Sequence, residues 1–313
     1  MSTKTNLALA FLTLCLSLGT AQAGDDKATQ MRLAAQAGDT ATVERLLDEG
    51  VDVNAANSYG KTPLMMAVEG DHLNTVALLM IRGADINAHD SSGLSALTFA
   101  AENGHIGITA LLLERGANVH DRTRAGWDSL MIASRYGITD MVEQLLYRHA
   151  NPKASDKHLR TALMQAAEMG HVPVVEVLVK GGAEIEARDD NGATALHIAV
   201  DKGQLAVVKA LLALGADVNA KDTGSDTVLM YAVARGDAKL IGVLLDSGAN
   251  PNLPGSGAST ALMEAIKTGH GSLVPLLLEH KADPSLKDAQ GRTAADFARK
   301  RGDDRAAAAL QKR

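Results

Sequence analysis

The chain has 313 residues, of which 46% are hydrophobic and 3% aromatic, and its formal net charge is -6. This acidic balance provides no basic stripe that could neutralise phosphates, so we expect no nucleic-acid partner. The single cysteine, Cys15, rules out a disulfide within the chain.

The first predicted element in the chain is a cleavable signal peptide over residues 1–23. Lys4 precedes an apolar stretch from Leu7 to Leu18, which suits a signal-peptide core and is short for a membrane span. The small residues of a cleavage site follow as Ala-Gln-Ala at 21–23. We therefore expect a periplasmic or secreted protein.

Two alternatives remain open for this segment, an uncleaved anchor or buried helix and a lipoprotein signal. The second requires a small residue before the lipidated cysteine, and Leu14 stands directly before Cys15. Cleavage after Ala23 is the interpretation we favour, and it predicts no stable membrane insertion of the mature chain.

A Gly-Ala-Asp-like tripeptide recurs at a constant interval of 33 residues after this segment. Its glycines are Gly50, Gly83, Gly116, Gly182, Gly215 and Gly248. Two further copies keep the interval but replace glycine by His149 and Lys281. A constant period of this length predicts a solenoid of stacked repeats, which presents a long surface and does not bury a reactive pocket.

Each repeat predicts two helices, and its positions are numbered here so that residue 57 is position 1. Position 6 carries a residue that can cap the first helix, position 8 a leucine for the core, and position 15 a glycine that ends the helix. The position-6 residues are Thr62, Ser95, Asp128, Thr161, Thr194, Thr227, Thr260 and Thr293. Asp71 replaces the glycine once, and we expect local strain or a shifted turn there. A second helix follows, and the Gly-Ala-Asp segment leads into an extended finger.

These features resemble the ankyrin repeat family. The clearest copy runs from Asp189 to Lys221, with Thr-Ala-Leu-His at 194–197 and Gly-Ala-Asp-Val-Asn-Ala at 215–220. The resemblance implies an all-α, ankyrin-repeat solenoid of stacked helix-turn-helix units joined by β-hairpin-like fingers.

The repeat also predicts the division of the chain. We expect seven full repeats at 57–287, an N-terminal capping unit at 24–56 and a C-terminal capping unit at 288–313, about nine units in all. Both end units look polar, as the ends of such a stack must be for solubility.

No motif in the sequence predicts catalysis, a cofactor or a metal site. Gly60-Lys61-Thr62 resembles the end of a phosphate loop, but Ala55 replaces the required upstream glycine. The histidines at position 16 have no metal-ligand spacing, and we expect them to form structural hydrogen bonds. They are His72, His105, His171 and His270. We expect no enzyme.

Methionine recurs at position 9, where the family commonly has histidine. The residues are Met65, Met131, Met164, Met230 and Met263, and only His197 keeps histidine. We favour a ladder of buried methionines that fills gaps between first helices. The alternative is a row of thioethers that senses or consumes oxidants.

The resemblance implies that partners bind at positions 2, 3 and 5 and at the two positions before the glycine of position 15. The candidate partner-binding residues are Tyr59, Arg124, Trp127, Arg135, Tyr136, Lys157, His158, Arg160 and Met169. Trp, Tyr and Arg are typical of interface hot spots, and the basic character of the patch predicts an acidic partner surface. The alternative for Trp127 is that it covers the edge of an irregular repeat. We expect the aromatic residues at position 10, Phe99, Tyr231 and Phe297, in the core.

Together these features predict a monomeric, non-enzymatic module that binds another protein through the concave face of fingers and first helices. It would act as a scaffold, an inhibitor or a protector. The alternatives are an immunity protein or inhibitor for a toxin, an exported effector that binds host proteins, and an oxidative-stress factor that uses the methionine ladder.

Overall fold

The structure is a computed structural model and describes residues 26–311. The predicted signal peptide therefore lies outside the described residues. The first helix of the described residues, α1, covers residues 26–37. The helices that follow are α2 (Thr40–Asp48), α3 (Pro63–Glu69), α4 (Leu73–Ile81), α5 (Ala96–Asn103), α6 (Ile106–Glu114), α7 (Ser129–Tyr136), α8 (Thr139–Tyr147), α9 (Ala162–Met169), α10 (Val172–Lys180), α11 (Ala195–Asp201), α12 (Leu205–Ala213), α13 (Val228–Arg235), α14 (Ala238–Asp246), α15 (Ala261–Lys267), α16 (Val274–Glu279), α17 (Ala294–Arg301) and α18 (Asp304–Gln311).

No strand is assigned between residues 26 and 311, so the all-α prediction is confirmed. Two short 3-10 helices, Ser256–Ala258 and Gly271–Leu273, complete the regular structure. The fingers contain only isolated bridges, between Ser155 and Thr161 and between Lys221 and Thr227. They are therefore hairpin-like turns without true strands.

The chain forms two compact units, which we describe separately. The N-terminal unit comprises the described residues up to Ser129 together with Tyr147–Ala150. The C-terminal unit comprises Leu130–Leu146 and the described residues from Asn151 onward. In each unit, first helices pack beside the first helices of neighbouring repeats, and second helices pack beside second helices.

The first helices begin at the predicted caps at position 6. The hydroxyl of Thr62, for example, accepts a hydrogen bond from the amide of Met65 at 3.3 Å, which satisfies a free N–H of the first turn. At the start of α17 the Asp296 carboxylate accepts a hydrogen bond from the backbone amide of the cap residue Thr293 at 2.9 Å. The Thr194 amide instead donates to Nδ1 of His197 at 3.3 Å.

The turns have the predicted left-handed backbone even where glycine is missing. Asp71 at position 15 has φ 59°, and the replaced closing glycines, His149 and Lys281, have φ 65° and 66°. A residue with a Cβ destabilises this conformation by roughly 1 kcal/mol relative to glycine. The strain predicted at Asp71 is therefore present, and the Asp71 carboxylate lies 3.3 Å from Nδ1 of His105.

The core consists of the predicted leucines and methionines. Leucine at position 8 and methionine at position 9 are both almost fully buried in every full repeat that carries them. The methionine ladder therefore packs between first helices, which is the interpretation that the sequence favoured. Its thioethers have almost no contact with solvent, which weakens the oxidant-sensing alternative.

Histidines at position 16 join neighbouring repeats, as predicted. Nε2 of His72 lies 3.0 Å from the Gln36 carbonyl oxygen, and Nε2 of His171 lies 2.9 Å from that of Arg135. Gln204 makes the equivalent bond, donating to the Glu168 carbonyl at 3.0 Å. These side chains satisfy carbonyls at the C-terminal ends of the preceding first helices.

Candidate interaction face

An aspartate or asparagine at position 1 shapes the finger tip in every repeat except those that begin at Thr123 and Gly255. Oδ1 of Asp156 accepts from the amides of His158 at 2.8 Å and Arg160 at 2.9 Å. This turn leaves positions 2 and 3 at the exposed tip and directs position 5 toward the first helix. Lys157 and His158 are accordingly exposed, whereas Arg160 is half-buried.

Side chains at positions 5, 10, 13 and 14 of the repeats contact one another, and we call the surface they form the inner face. In the N-terminal unit, the Lys61 ammonium pairs with Glu69 at 3.0 Å and lies 4.7 Å from the centre of the Phe99 ring. These contacts connect positions 5, 13 and 10 of two successive repeats. The inner face is therefore built from side chains of different repeats.

Three predicted partner-binding residues lie in the N-terminal unit. Tyr59 is 68% exposed at a finger tip, and its carbonyl accepts from the Ser91 amide at 2.8 Å. Arg124 is exposed at another tip, and its amide donates to the Ser92 carbonyl at 3.0 Å. Trp127 at position 5 is half-buried.

The other six predicted residues lie in the C-terminal unit. Tyr136 and Met169, both at position 14, are 54% and 44% exposed. Nδ1 of His158 lies 3.1 Å from the Asp190 carboxylate of the next finger. Large apolar side chains thus stand in solvent beside polar finger tips, a combination typical of interaction surfaces.

The arginines of this group are not free cations. Arg160 lies 2.9 Å and Arg135 3.3 Å from the same Glu168 carboxylate, and Lys202 approaches it at 4.0 Å. Gln165 at position 10 also accepts from Arg135, at 3.1 Å. The basic character expected from the sequence is therefore partly offset by Glu168, which pairs with Arg160 of its own repeat and with Arg135 of the preceding repeat.

Position 10 lies on the inner face, so the prediction that its aromatic residues are core residues is wrong for two of them. Phe99 is buried, but Tyr231 and Phe297 are half-buried at the surface. Gln165 and Glu264 occupy the same position in other repeats. The charged Glu264, which is half-buried, was the signal in the sequence that could have identified this position as surface, whereas Gln165 is almost fully buried.

Tyr231 is held in a fixed orientation. Its hydroxyl donates to Oδ2 of Asp222 at 2.7 Å, and its ring meets the His197 ring edge-on, with centres 5.3 Å apart. Burial raises the pKa of the Tyr231 phenol, and the carboxylates of Asp222, Asp226 and Asp201 raise it further. Burial also lowers the pKa of His197.

Two cavities flank Tyr231 on the inner face. One, of about 390 Å³, is lined by Asp201, Asp226, Glu264 and Met230. The other, of about 280 Å³, lies toward Glu168 and includes His197. Three carboxylates and Arg235 line the first cavity, and the second contains Arg160 and Lys202.

A scan against protein-family models matches the description "Ankyrin repeats (3 copies)" at residues 6–90, 30–123, 74–156, 130–222 and 226–312. The chain belongs to the ankyrin repeat family. Ankyrin repeats indicate a protein–protein interaction module, and proteins of this kind are generally non-enzymatic. No curated protein matches the chain.

Two further findings concern residues 26–311 alone. No three His, Cys, Asp or Glu side chains in this range are grouped so that they could hold a metal ion. None of its helices is both long enough and apolar enough to cross a membrane.

Proposed function

We propose that this ankyrin repeat protein is exported and binds another protein through its inner face, as a scaffold, an inhibitor or a protector. The observation that supports this most directly is the exposure of Tyr136 and Met169 in successive repeats. Both lie beside the cluster of Arg135, Arg160 and Glu168. Exposed aromatic and flexible apolar side chains with ordered charged neighbours form the centre of many protein interfaces.

Photo-cross-linking from the full chain in its native organism tests this use of the inner face. A photoreactive phenylalanine derivative replaces Tyr136 or Met169, and the matched control carries it at Tyr147, which is 81% exposed at the end of α8. We expect one defined adduct from the two inner-face positions and none from Tyr147. Equal cross-linking from all three positions would contradict the proposal.

Export is a separate part of the proposal and rests on residues 1–23. The mature protein isolated from the cell envelope should have the mass of a chain that begins at Gly24. A mass that includes the first 23 residues, or recovery from the cytoplasm alone, would contradict it.

A further inference from the structure

Two aromatic residues at position 10 are covered by cations from their own chain. The Lys61 ammonium lies 4.7 Å from the centre of the Phe99 ring. The Lys267 ammonium and the Arg292 guanidinium lie 4.9 Å and 4.6 Å from the centre of the Phe297 ring. An aromatic ring at this position is therefore a surface on which a cation binds, through attraction to the negative face of the ring.

Tyr231 occupies the same position without such a cation. The covering cations come from position 5 or 13 of the preceding repeat, or from position 5 of the same repeat. For Tyr231 these positions hold Ala193, Asp201 and Asp226. No cation of the described chain lies over the Tyr231 ring, and two carboxylates stand where lysine and arginine stand near Phe297.

The cavity beside Tyr231 has the size and charge to accept a cationic side chain. It measures about 390 Å³ and is lined by three carboxylates, those of Asp201, Asp226 and Glu264. Its own cation, Arg235, points its guanidinium to the backbone carbonyl of Asp201. Asp201 is itself paired with Lys202 at 3.1 Å, so the carboxylates left to attract a cation from outside the chain are those of Asp226 and Glu264.

Asp226 is the carboxylate that the fold leaves without a cation. Its Oδ1 accepts from the Ser256 amide at 3.0 Å, and no Lys, Arg or His of residues 26–311 forms an ion pair with it within 4 Å. Glu264 is paired only loosely, with Lys267 at 3.8 Å. A cation from outside the chain would therefore meet an unpaired carboxylate and a weakly paired one.

The ring itself is already oriented for such contact. The hydrogen bond to Asp222 and the edge contact with His197 fix Tyr231 before any ligand arrives. A fixed ring loses little conformational entropy on binding, which favours affinity. Met230, which is 4% exposed, lines the same cavity with a small apolar surface that an aliphatic stem can contact.

We propose that this cavity, the Tyr231 pocket, takes a lysine or arginine side chain from a basic segment of the partner protein. The cationic end lies over the Tyr231 ring between Asp226 and Glu264, and the aliphatic stem contacts Met230. The inference rests on the proposed function and adds the chemistry of the partner.

The test uses the full chain and a phage-displayed library of random dodecapeptides as its probe. Selected peptides are synthesised, and each basic residue is replaced in turn by its neutral counterpart, arginine by citrulline and lysine by norleucine. Affinities are then measured for the wild-type chain and for an Asp226→Asn, Glu264→Gln double variant. A double variant with Asp246→Asn and Glu279→Gln, both exposed residues of second helices, matches the change in charge.

We expect one basic residue in each selected peptide to account for about tenfold of the affinity. That difference should disappear in the Asp226, Glu264 double variant and persist in the charge-matched control. Tyr231→Leu should remove it, whereas Tyr231→Phe, which keeps the ring, should retain most of it. Circular dichroism and urea unfolding establish that each variant is folded.

Three results would overturn the inference: no selected peptide, peptides that bind without a basic residue, or a cation dependence that survives in the double variant. The proposed function fails separately. A cross-linked partner that binds the wild-type and double-variant chains equally would refute the Tyr231 pocket alone, and the absence of any inner-face adduct would refute the proposed function.

Discussion

The inner face of the C-terminal unit contains two regions that differ in whether their charged side chains form ion pairs within the chain. Around Glu168, whose side chain is 19% exposed, Arg135, Arg160 and Lys202 converge on one carboxylate. Each charge of this region therefore has an ion-pair partner within the chain. Such ion pairs order side chains but contribute little net affinity for a partner, because a partner must first displace them.

The region around Tyr231 contains two carboxylates without such a partner. Asp222 and Asp226 form no ion pair within residues 26–311, and both lie near the Tyr231 hydroxyl. Asp222 already accepts the Tyr231 hydroxyl, so the charge available to a partner is that of Asp226. Exposed charge on a repeat surface therefore indicates a binding site only after the charges of neighbouring repeats have been taken into account.

The largest expected effect concerns Leu196, which supports both regions. It is 1% exposed in α11, which packs between α9 and α13. Leu196→Ala should lower the free energy of unfolding by roughly 2–5 kcal/mol, through lost burial and the cavity left behind. Urea unfolding measures this free energy. The control is Leu214→Ala, because Leu214 is 38% exposed, and it should change the free energy of unfolding by less than about 0.5 kcal/mol. Equal effects would show that α11 does not anchor the face.

Removing one carboxylate from each region separates their roles. Glu168→Gln should lower the free energy of unfolding by about 1 kcal/mol, since Arg135 and Arg160 lose their shared partner. Asp226→Asn keeps an acceptor for the Ser256 amide, so this variant should change the free energy of unfolding by less than about 0.5 kcal/mol. The difference should shrink in high salt. A larger loss of stability from Asp226→Asn than from Glu168→Gln would show that Asp226, and not Glu168, is the carboxylate engaged by the fold.

Alkaline titration examines the Tyr231 region alone. Because the pKa of Tyr231 is raised in the folded state, the folded chain keeps its proton after the unfolded chain has lost it. Its contribution to stability is complete below the unfolded pKa of about 10 and falls as the pH rises through the folded pKa. Tyrosinate absorbance should show one late-ionising tyrosine that Tyr231→Phe removes. An unchanged titration in the variant would contradict the burial of this phenol.

The smallest expected effect is acid sensitivity at His197. Burial lowers its folded-state pKa, so its contribution to stability is present above the unfolded pKa of about 6.5 and is lost as the pH falls. His197→Met installs the residue that five other repeats have at position 9. The variant should lose less stability than the wild type between pH 7 and 5 in urea unfolding. An equal loss in both chains would assign the acid sensitivity to other groups.

The sequence predicted the fold closely because each structural requirement recurs in every repeat. The caps at position 6, the leucines at position 8 and the left-handed turns are local features, and each lies where the 33-residue period placed it. Even Asp71, His149 and Lys281 follow the backbone of the glycines they replace. Packing against the neighbouring repeats keeps the common backbone conformation even where the sequence of one repeat departs from the pattern.

The interaction face was harder to predict because its contacts join residues of different repeats, or the finger and the first helix of one repeat. The pairing of Arg135 with Glu168 spans one full period, so no single repeat reveals it. Tyr231 was expected in the core because position 10 follows the buried leucine and methionine closely. Its half-exposed ring and its bond to Asp222 depend on how the finger and first helix of one repeat meet.

The most direct measurement compares the affinity of the cross-linked partner for three forms of the full chain. The Asp226→Asn, Glu264→Gln variant should bind about tenfold more weakly than the wild type, because the partner loses its counter-charges in the Tyr231 pocket. Glu168→Gln should change the affinity by less than about threefold, because that carboxylate is already engaged by its own chain. A stronger effect at Glu168 than in the Tyr231 pocket would contradict the account.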